Sequence, residues 1–133
     1  MKMLIALLAL IPLAAFAGKK ERDYMTGTVT PAVKKAEKDF NTACGCKLAI
    51  KVADSIKSED DMYQATHVAE SLSSEAAGYC TDADSKKAVC QMKSLEIGKV
   101  KETKFSFSSG KGVSMTDGQS YAGFSLMTQE LDK

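Results

Sequence analysis

The chain has 133 residues, of which 44% are hydrophobic and 26% are charged, and its formal net charge is +1. This length fits one domain with a modest core. Lysines and acidic residues are interleaved along the chain, whereas a nucleic-acid-binding protein usually concentrates a basic surplus on one face. The composition therefore excludes nucleic acid and acidic membranes as expected partners.

The first 17 residues have the pattern of a secretory signal peptide. Lys2 precedes an apolar run that ends in the small residues Ala15 and Ala17, and this run is shorter than the roughly 20 residues that a transmembrane helix needs. Cleavage after Ala17 would leave about 116 residues with 17 basic and 17 acidic side chains. The residue directly after the cleavage site is Gly18 and not the cysteine of a lipoprotein. We therefore expect an exported protein, periplasmic or extracellular, without stable membrane anchoring.

After the cleavage site, residues 18–29 mix charges without a sustained period, so we expect a flexible lead-in. Residues 30–133 are predicted to form a single domain. Thr30 and Pro31 are typical of a helix start. Apolar residues then recur at spacings of three and four, which predicts an amphipathic helix over residues 31–43. These residues are Val33, Ala36, Phe40 and Ala43.

Gly45 is expected to end this helix, and alternation from Cys46 to Val52 predicts a half-buried strand. Ser58 and Asp61 resemble a capping box. They open a long predicted helix over residues 59–79, and a shorter helix is predicted over residues 84–93. The apolar stripe of the long helix consists of Met62, Ala65, Ala69, Leu72, Ala76 and Tyr79.

The last third of the chain is predicted to be a three-stranded antiparallel meander. Its strands cover residues 95–107 with a bulge near Gly98, residues 113–115, and residues 121–127. A turn at residues 108–112 and a hairpin at Asp117-Gly118 connect them. The predicted fold is therefore α+β, with helices on one face of a small, mainly antiparallel sheet, in the order α-β-α-α-β-β-β.

An even number of cysteines in an exported chain predicts disulfides, here two among Cys44, Cys46, Cys80 and Cys90. The strand after Cys46 and the long helix each span about 30 Å, so an antiparallel return brings all four cysteines to one corner. We favour crossed linkage, with Cys44 and Cys46 each bonded to one of the other two. The alternative, a Cys44–Cys46 bridge, would be strained. The sequence leaves open which partner each takes.

A strained Cys44–Cys46 bridge would be easily reduced, so a thiol–disulfide oxidoreductase is the alternative function. A reactive thiolate needs a helix N-terminus or a close cation. Cys44 instead follows a helix C-terminus, whose negative end disfavours a thiolate. The cysteine spacings also differ from those of zinc sites. We therefore expect no catalytic residue, no metal and no cofactor.

His67 is the single histidine, and it is predicted to lie on a solvated helix face with Gln64 and Ser71. If His67 is a solvated surface residue, the chain has no other histidine from which to build a serine or cysteine catalytic triad.

A contact surface is predicted at the turns of the last third, with Lys111, Gln119 and Tyr121 as possible partner-binding residues. Phe105 and Phe107 either join this surface or belong to the core. The predicted function is non-catalytic binding of a protein or a cell-envelope partner. A structural accessory role without a specific ligand would leave the same sequence pattern.

Overall fold

The computed structural model describes residues 18–133, so the predicted signal peptide lies outside the described residues. A π-helical turn, Met25–Val29, joins the first two helices. In chain order the elements are α1 (Lys19–Tyr24), α2 (Thr30–Cys44), β1 (Ala49–Val52), α3 (Glu59–Tyr79), α4 (Ala83–Cys90), β2 (Ser94–Lys99), β3 (Lys104–Ser108), β4 (Lys111–Thr116) and α5 (Phe124–Leu131).

Residues 18–29 were expected to be a flexible lead-in, but Lys19–Tyr24 and Met25–Val29 are helical, so helical structure begins at Lys19 rather than at residue 31. The π-helical turn ends at Val29, two residues before Pro31, whose missing N–H interrupts the α-helical ladder. Val29 in this turn is fully buried, which explains why the domain includes the turn. Gly45 ends α2 as predicted, with a left-handed φ of 70° and its N–H bonded to the Asn41 carbonyl at 2.9 Å.

The four strands form one sheet in the order β1-β2-β4-β3. The pairs β1–β2 and β2–β4 are parallel, and β3–β4 is antiparallel. The predicted α+β class is confirmed, and the order α-β-α-α-β-β-β is found from α2 to β4, with α1 before it and α5 after it. The mainly antiparallel arrangement is wrong, since two of the three strand pairings are parallel.

The predicted strand over residues 95–107 is divided into β2 and β3. Gly98 pairs in regular register with Met115, so the bulge predicted there is not present. The turn at residues 108–112 is a true hairpin tip, because Ser109 and Gly110 both have positive φ between the paired residues Ser108 and Lys111. The predicted hairpin at Asp117-Gly118 is wrong, because no strand follows it.

The predicted last strand is replaced by α5. Its buried side chains, Phe124, Met127 and Leu131, are spaced by three and four residues, which is the helical period. Leu126, which lies within the predicted strand, is 37% exposed.

The core lies between the helices and one face of the sheet, as predicted. The inner face is formed by Ile50, Leu95, Ile97 and Phe105, which occupy equivalent positions across paired strands. The predicted stripe of α3 is confirmed from Met62 to Ala76, but this helix is buried over a wider arc than the stripe. The additional buried side chains are Asp61, Gln64, Thr66, Val68 and Ser71.

Side chains of α2 cover part of the free edge of β1. Ala49 donates its N–H to Lys93, just before β2, and Ala53 donates its N–H to Ile97 in β2. The backbone N–H groups of the alternate residues, such as Ile50, therefore point to the free edge of β1. The Asn41 amide bonds both the N–H and the C=O of Leu48, at 2.7 and 3.0 Å, and Glu37 Oε2 accepts the Ile50 N–H at 2.6 Å. These two side chains take the place of a neighbouring strand.

Candidate functional site

Two disulfides meet at one corner of the domain, as predicted. Cys44 bonds Cys80 and Cys46 bonds Cys90, with Cα–Cα distances of 5.2 and 5.1 Å. The crossed pairing is confirmed, and the individual partners are now assigned. The bonds join the end of α2 and the approach to β1 with the ends of α3 and α4. They therefore tie the helical layer to the sheet.

This pairing determines what a redox role of Cys44 and Cys46 would require. All the cysteines among residues 18–133 are bonded between distant segments, and Cys44 and Cys80 are buried. A dithiol cycle between Cys44 and Cys46 would require both inter-segment bonds to break first. Cys44 also ends α2, where the helix dipole disfavours a thiolate.

A cluster of partly exposed aromatic rings lies on α3, away from the disulfides in sequence. It consists of Tyr63, His67 and Tyr121, and we call it the aromatic surface. The Tyr63 and His67 rings meet edge to face, with their centroids 4.4 Å apart. The Tyr121 ring stacks on His67 at 5.3 Å, with 16° between the planes. Tyr63 is 53% exposed and Tyr121 is 40% exposed. Such exposure of two large rings is typical of a contact surface.

Helix α3 positions two of the three rings by its period alone. Tyr63 and His67 are four residues apart, so they lie one above the other on the same helix face. His67 Nδ1 lies 3.4 Å from a carboxylate oxygen of Glu70, one further turn along. The predicted solvated face is corrected here: His67 is partly covered, and Gln64 and Ser71 are buried.

The third ring comes from residues 117–123, which we call the anchored loop. Two fully buried hydroxyls of β4 hold its backbone: Ser114 donates to the Ala122 carbonyl at 2.6 Å, and Thr116 donates to the Ser120 carbonyl. Ser71 Oγ on α3 accepts the Phe124 N–H at 3.0 Å, directly after the loop. The sheet and α3 thus both fix the backbone on either side of Tyr121.

The start of the anchored loop is a closed polar turn. Asp117 Oδ1 accepts the N–H groups of Gln119 and Ser120 at 2.8 and 3.0 Å, and these bonds hold the pKa of Asp117 below its usual value. Thr103 Oγ1 accepts the Asp117 N–H at 3.1 Å and lies 2.6 Å from the Ser120 hydroxyl. The turn that was predicted as a hairpin therefore positions Tyr121 instead.

Gly123 allows the Tyr121 ring to lie close to the backbone. A Cβ at this position would be 2.9 Å from Tyr121 Cε2 and 3.2 Å from Ser71 Oγ. No side chain fits there without moving the ring or the Ser71 hydroxyl. The absence of a side chain at position 123 therefore permits this position of the Tyr121 ring.

The surroundings of the aromatic surface are acidic. Burial raises the pKa of Tyr24 on α1, and the nearby Tyr63, Glu59 and Glu70 raise it further. Glu70 is well exposed, while Glu59 is paired with Lys20 at 3.3 Å.

The predicted partner-binding residues do not all come together. Gln119 and Tyr121 lie in the anchored loop, but Lys111 begins β4 at its opposite end and is paired with Glu96 at 3.6 Å. Phe105 is a core residue, and Phe107 packs partly buried against the core. Sequence reasoning missed Tyr63, although its spacing from His67 was a usable signal.

A groove of about 340 Å³ runs between α2 and β1, with an apolar floor that includes Val33 and Val52. Its carboxylate, Glu37, is already bonded to the Ile50 N–H. Among residues 18–133 no group of three or more His, Cys, Asp or Glu side chains is arranged to hold a metal ion. Within the same residues no helix is both long and apolar enough to cross a membrane.

Comparison of the chain with protein-family models, with curated proteins and with solved structures finds no match in any of the three.

Proposed function

We propose that this protein is an exported, non-catalytic binding module whose aromatic surface contacts a protein or cell-envelope partner. The observation that carries the proposal is the placement of two well-exposed tyrosines and one histidine in ring-to-ring contact. Aromatic side chains are enriched at interfaces because they bury much area with little loss of side-chain freedom.

The rigidity of the surface supports the same function. Tyr63 and His67 stand on a 21-residue helix, and the loop that carries Tyr121 is bonded to buried hydroxyls on two elements. A surface that is ordered before binding loses less conformational entropy in the complex. Functional loops on rigid scaffolds have this character.

The disulfides support export, because such bonds persist in oxidising compartments. They also support a structural use of the cysteines, since each bond joins separate elements. The alternative, thiol–disulfide exchange at Cys44 and Cys46, would require the motif to form its own bridge.

The proposal is tested by placing a photoreactive phenylalanine analogue at position 63 or 121 in the producing cell. The matched control position is Ser106, which is exposed on the outer face of β3. We expect one partner to crosslink from positions 63 and 121 and not from position 106. Tyr63→Ala should weaken the crosslink from position 121, because both rings contact the same partner.

Equal crosslinking from position 106, or a position-121 adduct that Tyr63→Ala leaves unchanged, would contradict a specific contact at the aromatic surface. Because Tyr63 and Tyr121 are exposed, their substitution should leave the urea midpoint nearly unchanged. A large loss of stability would show that the rings serve the fold instead.

A further inference from the structure

We propose that the aromatic surface binds a cationic side chain, a lysine or an arginine presented by a partner protein; this inference rests on the proposed function and narrows its partner. The structure provides aromatic rings and carboxylates side by side. Both groups attract a cation, the rings through their negative faces and the acids through their charge.

The acidic groups flank the rings along α3. Glu59 precedes Tyr63 by four residues, and Glu70 follows His67 by three, so these residues follow one helix face. A shallow depression between α1 and the start of α3 extends this face and is lined by Glu21, Glu59 and Asp60 together with Lys57 and Ser58. Three of these five residues are acidic and one is basic, and Glu59 is also paired with Lys20 at 3.3 Å, so a small acidic excess remains along this face.

Helix capping accounts for only part of this acidity. Glu59 and Asp60 lie in the first turn of α3, where negative charge stabilises the helix. Glu70 lies in the middle of the helix, and Glu21 belongs to α1. Glu21 lies in the first turn of α1, where negative charge likewise stabilises the helix, so Glu70 is the acid that no helix N-terminus explains. Glu70 is 63% exposed and so is available to a partner.

A cation at this site would meet groups that a neutral ligand would not use. Exposed tyrosines attract an ammonium or guanidinium group, and arginine in addition stacks flat on aromatic rings. Glu70 can accept hydrogen bonds from the same group. An oligosaccharide would also stack on tyrosine rings and its hydroxyls would donate hydrogen bonds to the carboxylates, but as a neutral ligand it lacks the direct attraction of opposite charges. The flanking acids therefore favour a basic protein segment over a glycan.

The test uses two peptides that differ only in charge, acetyl-Gly-Arg-Gly-Arg-Gly-amide and the same peptide with citrulline in place of arginine. The mature protein, labelled with ¹⁵N, is titrated with each peptide at low salt. We expect the amide signals of Tyr63, His67 and Tyr121 to shift, with binding of the arginine peptide about two- to fivefold tighter than that of the citrulline peptide.

The variants make the test specific. Glu70→Gln should remove most of the preference for arginine, and Tyr121→Leu should weaken binding of the arginine peptide. Glu96→Gln is the matched control, since Glu96 lies on the sheet and pairs with Lys111. Equal affinity for the two peptides, or an equal effect of Glu70→Gln and Glu96→Gln, would overturn the inference.

An N-acetylglucosamine tetramer that shifts the same amide signals and binds more tightly than the arginine peptide would also overturn the inference. The partner would then be a glycan. If arginine preference is missing while crosslinks persist at positions 63 and 121, the cation inference fails and the binding function stands. If the crosslinks are missing too, both fail.

Discussion

At the scale of single residues, Gly112 shows how closely β4 packs against Met92, just after α4, and against Phe105 of the neighbouring strand. A Cβ at this position of β4 would lie 2.5 Å from Met92 Sδ and 3.0 Å from the Phe105 ring. We expect Gly112→Ala to lower the free energy of unfolding by about 1–3 kcal/mol, because Met92 is fully buried and has little room to move. Urea denaturation measures this change.

The matched control for this substitution is Gly78→Ala in α3, where an added Cβ meets nothing within 4 Å. Alanine there should stabilise the helix by about 0.5–1 kcal/mol. The packing therefore predicts that the two substitutions change the free energy of unfolding in opposite directions. A neutral Gly112→Ala would show that the contact with Met92 and Phe105 is looser than described.

Asp61 is the second residue with a specific energetic role. Its side chain is 3% exposed, and Oδ1 faces the Lys99 ammonium at 2.9 Å with no further partner among residues 18–133. Burial opposes ionisation of Asp61, but Lys99 and Ser58 together hold its pKa below the usual value. The carboxylate is therefore more easily ionised in the folded than in the unfolded chain.

A lowered pKa in the folded state gives stability that is present above the ordinary aspartate pKa of about 4 and is lost as the pH falls through the folded value. We expect Asp61→Asn to destabilise the protein at pH 7 by about 1–3 kcal/mol, and this difference to shrink below about pH 4. Urea denaturation of both proteins at pH 7, 5 and 3 measures it. A difference that stays constant or grows toward pH 3 would contradict the ion pair.

The sequence predicted only part of this residue-scale picture. The capping box of Ser58 and Asp61 was visible because its partners are three residues apart. The Lys99 partner of Asp61 was not, because only the folding of β2 beside α3 brings them together. The crossed linkage of the cysteines was predictable because chain lengths and disulfide geometry limit which sulfurs can meet, but the individual partners were not.

At the scale of elements, α2 protects the free edge of β1 with side chains instead of a strand. Glu37 Oε2 accepts the Ile50 N–H at 2.6 Å. We expect Glu37→Ala to speed hydrogen exchange of the Ile50 amide about two- to tenfold, because this amide then faces solvent. Hydrogen exchange followed by NMR measures the change.

Glu37→Gln is the control, since its amide oxygen can still accept the same bond. Exchange of the Ile97 amide, on the neighbouring central strand, should not change in either variant. Faster exchange at both amides would indicate general destabilisation and would contradict the local role of Glu37.

Element types were more predictable than their arrangement. The helices α2 and α3 and the strand β1 followed from periodicity and capping residues. Periodicity identifies the buried face of a strand but not its neighbour, so the parallel pairs β1–β2 and β2–β4 could not be read from the sequence. The last segment was misassigned because Phe124 and Met127 fit a bulged strand as well as a helix until the packing is known.

The same limit applies to the candidate site. Gln119 and Tyr121 were predicted as contact residues from their position in a turn. The proximity of Tyr121 to His67 depends on the packing of the anchored loop against α3, which no local pattern shows. Lys111 was included because it also lies in a turn, but the length of β4 separates it from Tyr121.

At the scale of the whole molecule, the two disulfides are expected to contribute much of the stability. They close loops with sequence separations of 36 and 44 residues. We expect removal of the Cys44–Cys80 bond by double alanine substitution to lower the free energy of unfolding by about 2–4 kcal/mol, and removal of the Cys46–Cys90 bond to have a similar effect. Urea denaturation under non-reducing conditions measures both.

The same variants separate a structural role of the cysteines from a catalytic one. In the structural account, Cys44→Ser with Cys46→Ser lowers the melting temperature, and the unsubstituted protein does not turn over a disulfide substrate such as insulin. An intact fold combined with loss of a measurable reductase activity would instead support the oxidoreductase.

The central claim is that the protein is exported and stabilised by two disulfides at one corner of the domain, so that its cysteines are structural. Non-reducing peptide mapping of the protein recovered from its native location tests this most directly. We predict an N-terminus at Gly18, linked peptides containing Cys44 with Cys80 and Cys46 with Cys90, and no free thiol. A retained residue 1–17 segment, four free or metal-bound sulfurs, or a Cys44–Cys46 bridge would contradict the account.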